Sequence, residues 1–321
     1  MRMISQFAFA ALLSIGLAAA QPNPDAVQLH MYPVQGNTYM LAGAGGNITV
    51  QVGKSGVLLV DTGLAPMAPK VIAELQKLTR ASVYFIVNTH VHPDHVGGNE
   101  AFATIGSKGE IDSVGGRIAQ VGEQPLRIIA HENVLNRMTK PAGKDTPGAQ
   151  PGIPEDEYFT PFKDLHFNGE AIIIYHEPKA HTDGDSIVLF RGSDVISTGD
   201  IFTPGGYPFI DLERGGSVQG EIDALDHILE LTVPGNTQQE GGTYVIPGHG
   251  RISDESDVVE YRDMVVIVRD RIQDMIKKNM SLEQIKAAQP TLDYDTEYIT
   301  PTSFVKADQF IEAIYRSLTG K

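Results

Sequence analysis

One short segment constrains the fold and the chemistry of this chain more than any other feature. Residues 89–99 read Thr-His-Val-His-Pro-Asp-His-Val-Gly-Gly-Asn and directly follow 83–87, a β-branched and aromatic run that predicts a buried strand. Three of the ten histidines of the 321-residue chain lie within this segment, together with Asp94. Four side chains that can bind metal therefore fall within six residues, which predicts a metal centre at the end of a strand.

The spacing within the segment predicts two neighbouring metal ions rather than one. His90 and His92 are two residues apart, so in an extended chain their side chains point the same way. Pro93 then forces a change of direction. Asp94 and His95 can therefore turn toward a second point close by.

Three residues later in the chain are expected to complete the centre. His181 stands just before a predicted strand, whereas Asp200 and His249 each stand just after one. Strand–loop junctions are where the sites of layered α/β proteins collect. Asp61, in Leu-Val-Asp-Thr-Gly, has the same setting.

Composition limits the ligands and the partners. The absence of cysteine excludes disulfides, thiolate zinc sites, iron–sulfur clusters and a cysteine nucleophile, so histidine, aspartate or glutamate must hold any metal. A net charge of −15 would repel the phosphate backbone over most of the surface, so we expect no nucleic-acid partner.

The first twenty residues have the pattern of a secretory signal peptide. Arg2 precedes an apolar run from Phe7 to Ala19, and small residues end at Ala20. This run is shorter than the ~20 residues that span a bilayer. We therefore expect cleavage after Ala20 and a periplasmic or secreted protein without a membrane anchor.

Periodicity divides the rest of the chain into two strand-rich halves and a helical tail. Strands are predicted at 27–31, 38–42, 48–52, 57–60, 83–87, 126–130, 171–175, 186–190, 194–197 and 243–246. Helices are predicted at 66–78, 131–139, 217–231, 254–278, 281–288 and 303–318. Glycine- or proline-rich loops are predicted at 104–125 and 141–156.

The motif and its partners resemble those of the metallo-β-lactamase-fold superfamily over roughly residues 27–252. The resemblance implies an α/β fold, a four-layer αβ/βα sandwich with the metal site at one edge of its two sheets. We accordingly divide the chain into a signal peptide (1–20), a metallo-β-lactamase-like domain (21–252) and a C-terminal helical extension (253–321).

The same resemblance implies a role for each candidate residue. His90, His92 and His181 would hold one zinc ion, Asp94, His95 and His249 would hold the other, and Asp200 would bridge the two. Asp61 would orient the histidine segment without binding metal. Iron or manganese could replace zinc, because histidine and aspartate suit all three metals.

The bridging position separates branches of the superfamily. True β-lactamases typically carry cysteine or serine there, whereas Asp200 resembles the branches of glyoxalase II, lactonases and phosphodiesterases. This disfavours a β-lactamase, although the expected export favours one.

The resemblance implies a dinuclear zinc hydrolase that uses a metal-bridged hydroxide on an ester, lactone, thioester or β-lactam. Its substrate is expected to be a small anionic or carbonyl-containing molecule. Asp94 would orient the hydroxide and move a proton to the leaving group. Phe202, Tyr207 and Phe209, which follow Asp200, are candidate pocket walls.

Three alternatives remain beside this interpretation. The first is a true periplasmic β-lactamase. The second is an iron-dependent sulfur or oxygen oxidoreductase of the same fold. The third is a metal-storage protein with an incomplete site, which the presence of all seven expected ligands disfavours.

Overall fold

The computed structural model describes residues 24–108, 126–139, 152–235, 241–301 and 303–321. The predicted signal peptide lies outside these residues, as do most of the two predicted loops. Among the residues described, no helix has the length and apolar character needed to cross a membrane.

The first half of the described chain forms a seven-stranded sheet in chain order. Its strands are β1 (His30–Gln35), β2 (Thr38–Ala42), β3 (Ile48–Gly53), β4 (Gly56–Val60), β5 (Val83–Val87), β6 (Arg127–His131) and β7 (Asp156–Tyr158). Strands β1 to β4 pair antiparallel, and β4 to β7 pair parallel. The helices of this half are α1 (Ala68–Leu78), α2 (Pro93–Val96), α3 (Asn99–Lys108) and α4 (Glu132–Thr139).

The second half forms a five-stranded sheet in the order β12-β11-β10-β9-β8. Its strands are β8 (Phe162–Phe167), β9 (Glu170–Glu177), β10 (Asp185–Phe190), β11 (Val195–Ser197) and β12 (Tyr244–Ile246). All pairs are antiparallel except β11 with β12. The helices are α5 (Val218–Leu231), α6 (Glu255–Lys277), α7 (Leu282–Ala287), α8 (Asp295–Tyr298) and α9 (Ala307–Thr319).

The buried side chains place these elements in layers. Successive residues of a strand point to opposite faces, so Leu58 of β4 packs in the core between the sheets and Leu59 packs against the outer helices. Ile174 and Val188 of the second sheet lie in the same core between the sheets as Leu58. Val71 of α1 packs with Leu59 in a second core, between the first sheet and its helices. The predicted four-layer α/β sandwich is confirmed.

The C-terminal helices cover the outer face of the second sheet. Val265 and Ile272 of α6 are fully buried, and Met275 packs against the same core. That core also contains Ile196 of β11 and Phe310 of α9. Asp254 begins α6 with a capping box, in which it accepts the backbone N–H groups of the first turn. The helical extension therefore thickens the sandwich rather than leaving an apolar face open.

Most predicted elements are present, but helices α2, α3 and α8 were not predicted, and the last helix begins at Ala307 rather than at residue 303. The other differences lie at the ends of elements and at the edges of the sheets. The first strand begins at His30 rather than at residue 27 and contains Pro33, which an edge strand tolerates. Residues 104–108 belong to α3 rather than to a loop. Strands β7 and β8 were not predicted, because both carry charged residues and lie at the edges of their sheets.

An ion pair between α5 and β9 is expected to make the free energy of unfolding depend on pH. His227 Nδ1 lies 2.7 Å from the buried Glu177 Oε1, and this hydrogen bond raises the pKa of His227. The stabilisation is present below the unfolded pKa of about 6.5 and is lost as the pH rises through the folded pKa. His227→Gln should therefore lower the free energy of unfolding by about 1 kcal/mol near pH 6, and by less near pH 9. Urea unfolding at both pH values checks this, and an equal loss at both would contradict it.

Candidate metal centre

All seven side chains predicted as ligands meet at one edge of the two sheets. They form two groups, in each of which the ligand atoms lie within 4.8 Å of one another. The first group is His90, His92, His181 and Asp200, and the second is Asp94, His95 and His249.

The first sheet presents four of these residues on the segment that follows β5 and on the short helix α2. Strand β5 ends at Val87, the chain bends at His90 and Val91, and His92 is extended, with φ and ψ of −68° and 147°. Pro93 then begins the single turn of α2, as its fixed φ favours. This turn directs Asp94 and His95 toward the second group.

The second sheet supplies the other three residues from its connecting loops. His181 lies between β9 and β10, Asp200 lies in a 3-10 turn after β11, and His249 follows β12. Gly248 packs so closely on this turn that a Cβ atom there would lie 2.0 Å from Asp200 Oδ1. Glycine is therefore required at position 248 if the Asp200 carboxylate is to face the two ligand groups.

Three imidazole nitrogens converge in the first group. His92 Nδ1 lies 2.9 Å from His181 Nε2 and 3.1 Å from His90 Nε2. The opposite nitrogen of His92 lies 2.9 Å from Asp211 Oδ2, and that of His181 donates to the Phe209 carbonyl. Carboxylates and carbonyls only accept, so the inner nitrogens of these two rings carry lone pairs that face each other.

Asp61 fixes two further rings. Its carboxylate accepts from the Thr89 backbone N–H at 2.8 Å, from Thr89 Oγ1 at 2.7 Å and from His95 Nδ1 at 2.7 Å. Because the Thr89 hydroxyl donates to Asp61, its oxygen accepts from His90 Nδ1 at 3.0 Å. The Nε2 atoms of both rings therefore carry lone pairs that point toward the centre. Asp61 thus lies where the resemblance to the superfamily implies an orienting carboxylate.

Asp200 faces both groups. Its Oδ2 lies 3.8 Å from the Nε2 atoms of His90 and His181, and its Oδ1 lies 3.1 Å from His95 Nε2 and 3.5 Å from His249 Nε2. His95 Nε2 and Asp200 Oδ1 are buried, and neither has a hydrogen-bond partner within the described residues.

This arrangement of donors fits two divalent cations. Neutral imidazole nitrogens and carboxylate oxygens repel one another at these distances unless a positive charge lies between them. Both are ordinary ligands of zinc, manganese and iron. The orphaned buried atoms of His95 and Asp200 are where such a charge is most needed.

Residues 41–234, more than half of the chain, match the family model described as the metallo-beta-lactamase superfamily. The chain belongs to this superfamily. The family predicted from the histidine motif is confirmed.

Individual members of the superfamily show how far the similarity extends. The chain is 33% identical over 84 residues to a linear primary-alkylsulfatase from a Pseudomonas strain, an alignment that covers 26% of this chain and 13% of that protein. A sec-alkylsulfatase structure from Pseudomonas sp. superposes with a TM-score of 0.66 at 16% identity. The superposition covers 91% of this chain and 50% of the sec-alkylsulfatase. The superposition on a metallo-beta-lactamase from Pontibacter korlensis covers 74% of this chain and 99% of that protein, with a TM-score of 0.53 at 16% identity.

These structural similarities establish a shared fold. This superfamily member spans about half the length of the sec-alkylsulfatase. The alkylsulfatase superposition covers more of this chain than the metallo-beta-lactamase superposition does.

Protonation states in the metallo-β-lactamase-like centre follow from burial and charge. Burial and the neighbouring histidines lower the pKa of His90, and burial together with His92 lowers the pKa of His181 to about 4. Both rings are therefore neutral at pH 7, as metal ligands must be. Burial alone would lower the pKa of His249, but Asp200 and Asp94 outweigh it and raise this pKa to about 9. A proton or a cation is thus favoured between the acidic groups and His249.

The prediction that three aromatic residues line the pocket is wrong for two of them. Phe202 is fully buried against Tyr261, with ring centroids 5.2 Å apart. Tyr207 is buried against the C-terminal helices, and its hydroxyl donates to Asp295 Oδ1 at 2.8 Å. Neither can line a pocket, because the helical extension covers this side of the loop. Phe209 does lie at the centre, with its ring 5.9 Å from that of His92.

Asp211 is a residue of the site that sequence reasoning missed. It is buried, it contacts His92 Nε2 at 2.9 Å, and it accepts from Arg214 Nη1 at 2.7 Å. These contacts hold the pKa of the Asp211 carboxyl well below its usual range despite burial, which raises it. Asp211 follows no motif, and only its position in the Phe202–Asp211 loop after Asp200 could have drawn attention to it.

Loss of Asp211 should weaken metal binding. Without its carboxylate, the His92 ring loses the acceptor that fixes its orientation and its tautomer. Outer partners of this kind typically change metal affinity by about 10–100-fold. We expect Asp211→Ala to weaken metal binding by a factor in this range, measured by competition with a chromogenic chelator. Asp274→Ala, on the exposed surface of α6, is the control. Unchanged affinity in Asp211→Ala would show that His92 needs no such support.

Proposed function

We propose that this superfamily member is a dinuclear zinc-dependent hydrolase of small anionic or carbonyl-containing substrates, such as esters, lactones, thioesters or β-lactams. The observation that carries the proposal is that the two carboxylate oxygens of Asp200 face different ligand groups. Oδ2 faces the histidines of the first group, and Oδ1 faces those of the second. Two cations held there would lower the pKa of water toward neutrality and polarise the substrate oxygen.

The more exposed residues of the centre mark where substrate approaches. The side chains of His90, His95 and His181 are almost completely buried, whereas those of Asp94 and His249 are 30% and 41% exposed. A substrate would therefore approach from the side of Asp94 and His249.

Asp94 is the proposed catalytic residue. Burial alone would raise the pKa of Asp94, but the hydrogen bond with His249 and the neighbouring His95 lower it below the usual value. The carboxylate is thus ionised at neutral pH. Its Oδ2, 3.2 Å from His249 Nε2, can orient the attacking water, accept its proton and pass that proton to the leaving group.

The charge of the centre supports an anionic substrate. Neutral histidines and two carboxylates leave a bimetallic centre positive, although the chain as a whole carries −15. Local metal charge dominates the field that a bound group experiences. The acidic composition therefore does not oppose an anionic substrate.

Sulfate ester hydrolysis is the second candidate. The similarity to an alkylsulfatase segment and the superposition of 91% of this chain on a sec-alkylsulfatase favour it. The same positive centre would suit the sulfate group.

A panel of substrates tests both candidates. The zinc-loaded protein would be assayed on carboxylic esters, lactones, thioesters, β-lactams and sulfate esters, with His92→Ala as the blank. We expect hydrolysis of at least one class, two metal ions per chain by elemental analysis, and no activity in the blank. Inactivity of the fully loaded protein on every class would refute the proposed function. Iron in place of zinc, with visible colour, would favour the oxidoreductase alternative.

A further inference from the structure

Two exposed aromatic side chains meet beside the metal centre. Phe209 is 38% exposed, and its ring centroid lies 5.7 Å from that of His181 and 5.9 Å from that of His92. Phe304 is 77% exposed and meets Phe209 edge to face, with centroids 5.3 Å apart. A strip of apolar surface therefore runs outward from the candidate ligands.

Both members of the strip have a fixed backbone. The Phe209 carbonyl accepts a hydrogen bond from His181 Nδ1. Phe304 lies between α8 and α9, in a turn where Ser303 Oγ accepts from the Thr300 N–H at 2.7 Å. The next residue, Val305, is buried in the core of the C-terminal helices. Phe304 is thus presented to solvent by an anchored segment.

The location distinguishes this pair from other exposed apolar residues. Single exposed hydrophobic side chains are ordinary on protein surfaces. Within the described part of the chain, the large exposed ones besides this pair are Tyr32, Phe159, Phe162, Tyr244, Ile267 and Leu292. Among the described ring contacts, none joins one of these six side chains to a candidate ligand, whereas Phe209 contacts His92 and His181.

We propose that Phe209 and Phe304 form a subsite for the hydrocarbon part of the substrate. The inference deepens the proposed function and rests on it: the anionic or carbonyl head lies at the metal centre, and an alkyl or aryl group lies across the two rings. The substrate is thus an amphiphile rather than a uniformly polar molecule. The C-terminal extension, through Phe304, takes part in substrate binding.

Binding of straight-chain carboxylates tests the subsite without requiring turnover. Acetate, butanoate, hexanoate and octanoate would be titrated into the zinc-loaded protein by calorimetry. Full burial of a methylene group strengthens binding by about fourfold, so even partial burial gives a clear increase along the series. We expect Phe304→Ser to weaken octanoate binding by about tenfold and to leave acetate binding unchanged. Phe304→Leu should restore most of the affinity.

Phe159→Ser is the matched control, because Phe159 is 74% exposed, close to the 77% of Phe304, but has no ring contact with the centre among those described. It should bind every carboxylate as the wild type does. The proposal is overturned if affinity does not rise with chain length, or if Phe304→Ser weakens acetate and octanoate equally. Failure of the proposed function is distinguishable, since it would show as no hydrolysis despite binding that depends on chain length and on Phe304.

Discussion

Replacing Asp200 with asparagine is expected to lower the metal content from the proposed two ions per chain to one or none and to reduce the proposed hydrolysis by at least about 10³-fold. Asparagine keeps the size of the side chain but replaces one carboxylate oxygen with an amide nitrogen that has no lone pair for a metal. Since Oδ1 faces His95 and His249 while Oδ2 faces His90 and His181, either orientation removes a ligand from one group.

Elemental analysis and turnover on the best substrate of the panel measure this effect. Circular dichroism checks that the variant is folded. Two tightly held ions and wild-type turnover in Asp200→Asn would show that this carboxylate does not join the two groups.

Asp94→Ala is expected to leave the fold intact and to reduce kcat by about 10²–10⁴-fold, the range typical of a lost proton-transfer group. The side chain is 30% exposed and lies in the single-turn helix α2, so its removal leaves no cavity in a core. Because Asp94 also belongs to the second ligand group, weaker metal binding is expected to contribute to the loss.

Assays at saturating zinc separate the two effects of Asp94→Ala. If kcat stays low when two ions are bound, the carboxylate acts on the reaction itself. Asp274→Ala, an exposed aspartate on α6, should match the wild type throughout. Full activity of Asp94→Ala on any identified substrate would refute the role of Asp94.

The ligand residues could be predicted because each follows from local sequence. An apolar run such as 83–87 predicts a strand, and the polar residues after it must lie at the strand's end. Once His90 and His92 suggest a metal, His181, Asp200 and His249 stand out, with Asp61, as metal-competent residues at strand–loop junctions. The resemblance to the superfamily then separates the three ligands from Asp61. The structure brings all of them together.

The supporting residues could not be predicted, because their roles depend on contacts between distant segments. Asp211 meets His92 across 119 positions of sequence, and no local pattern marks either partner for the other. Phe202 and Tyr207 illustrate the opposite failure. Their aromatic rings in a loop after Asp200 were consistent with a pocket, but the packing of the C-terminal helices on that loop places both in a core.

Neither sheet holds a complete ligand group by itself. The segment after β5 offers two residues to each group, and the loops of the second sheet supply the rest. A chain whose halves have not yet closed together would present only incomplete chelates. If the two proposed cations bind, their stable capture would come after the two sheets dock, so the compartment in which this chain matures would have to provide the metal as well as the conditions for folding.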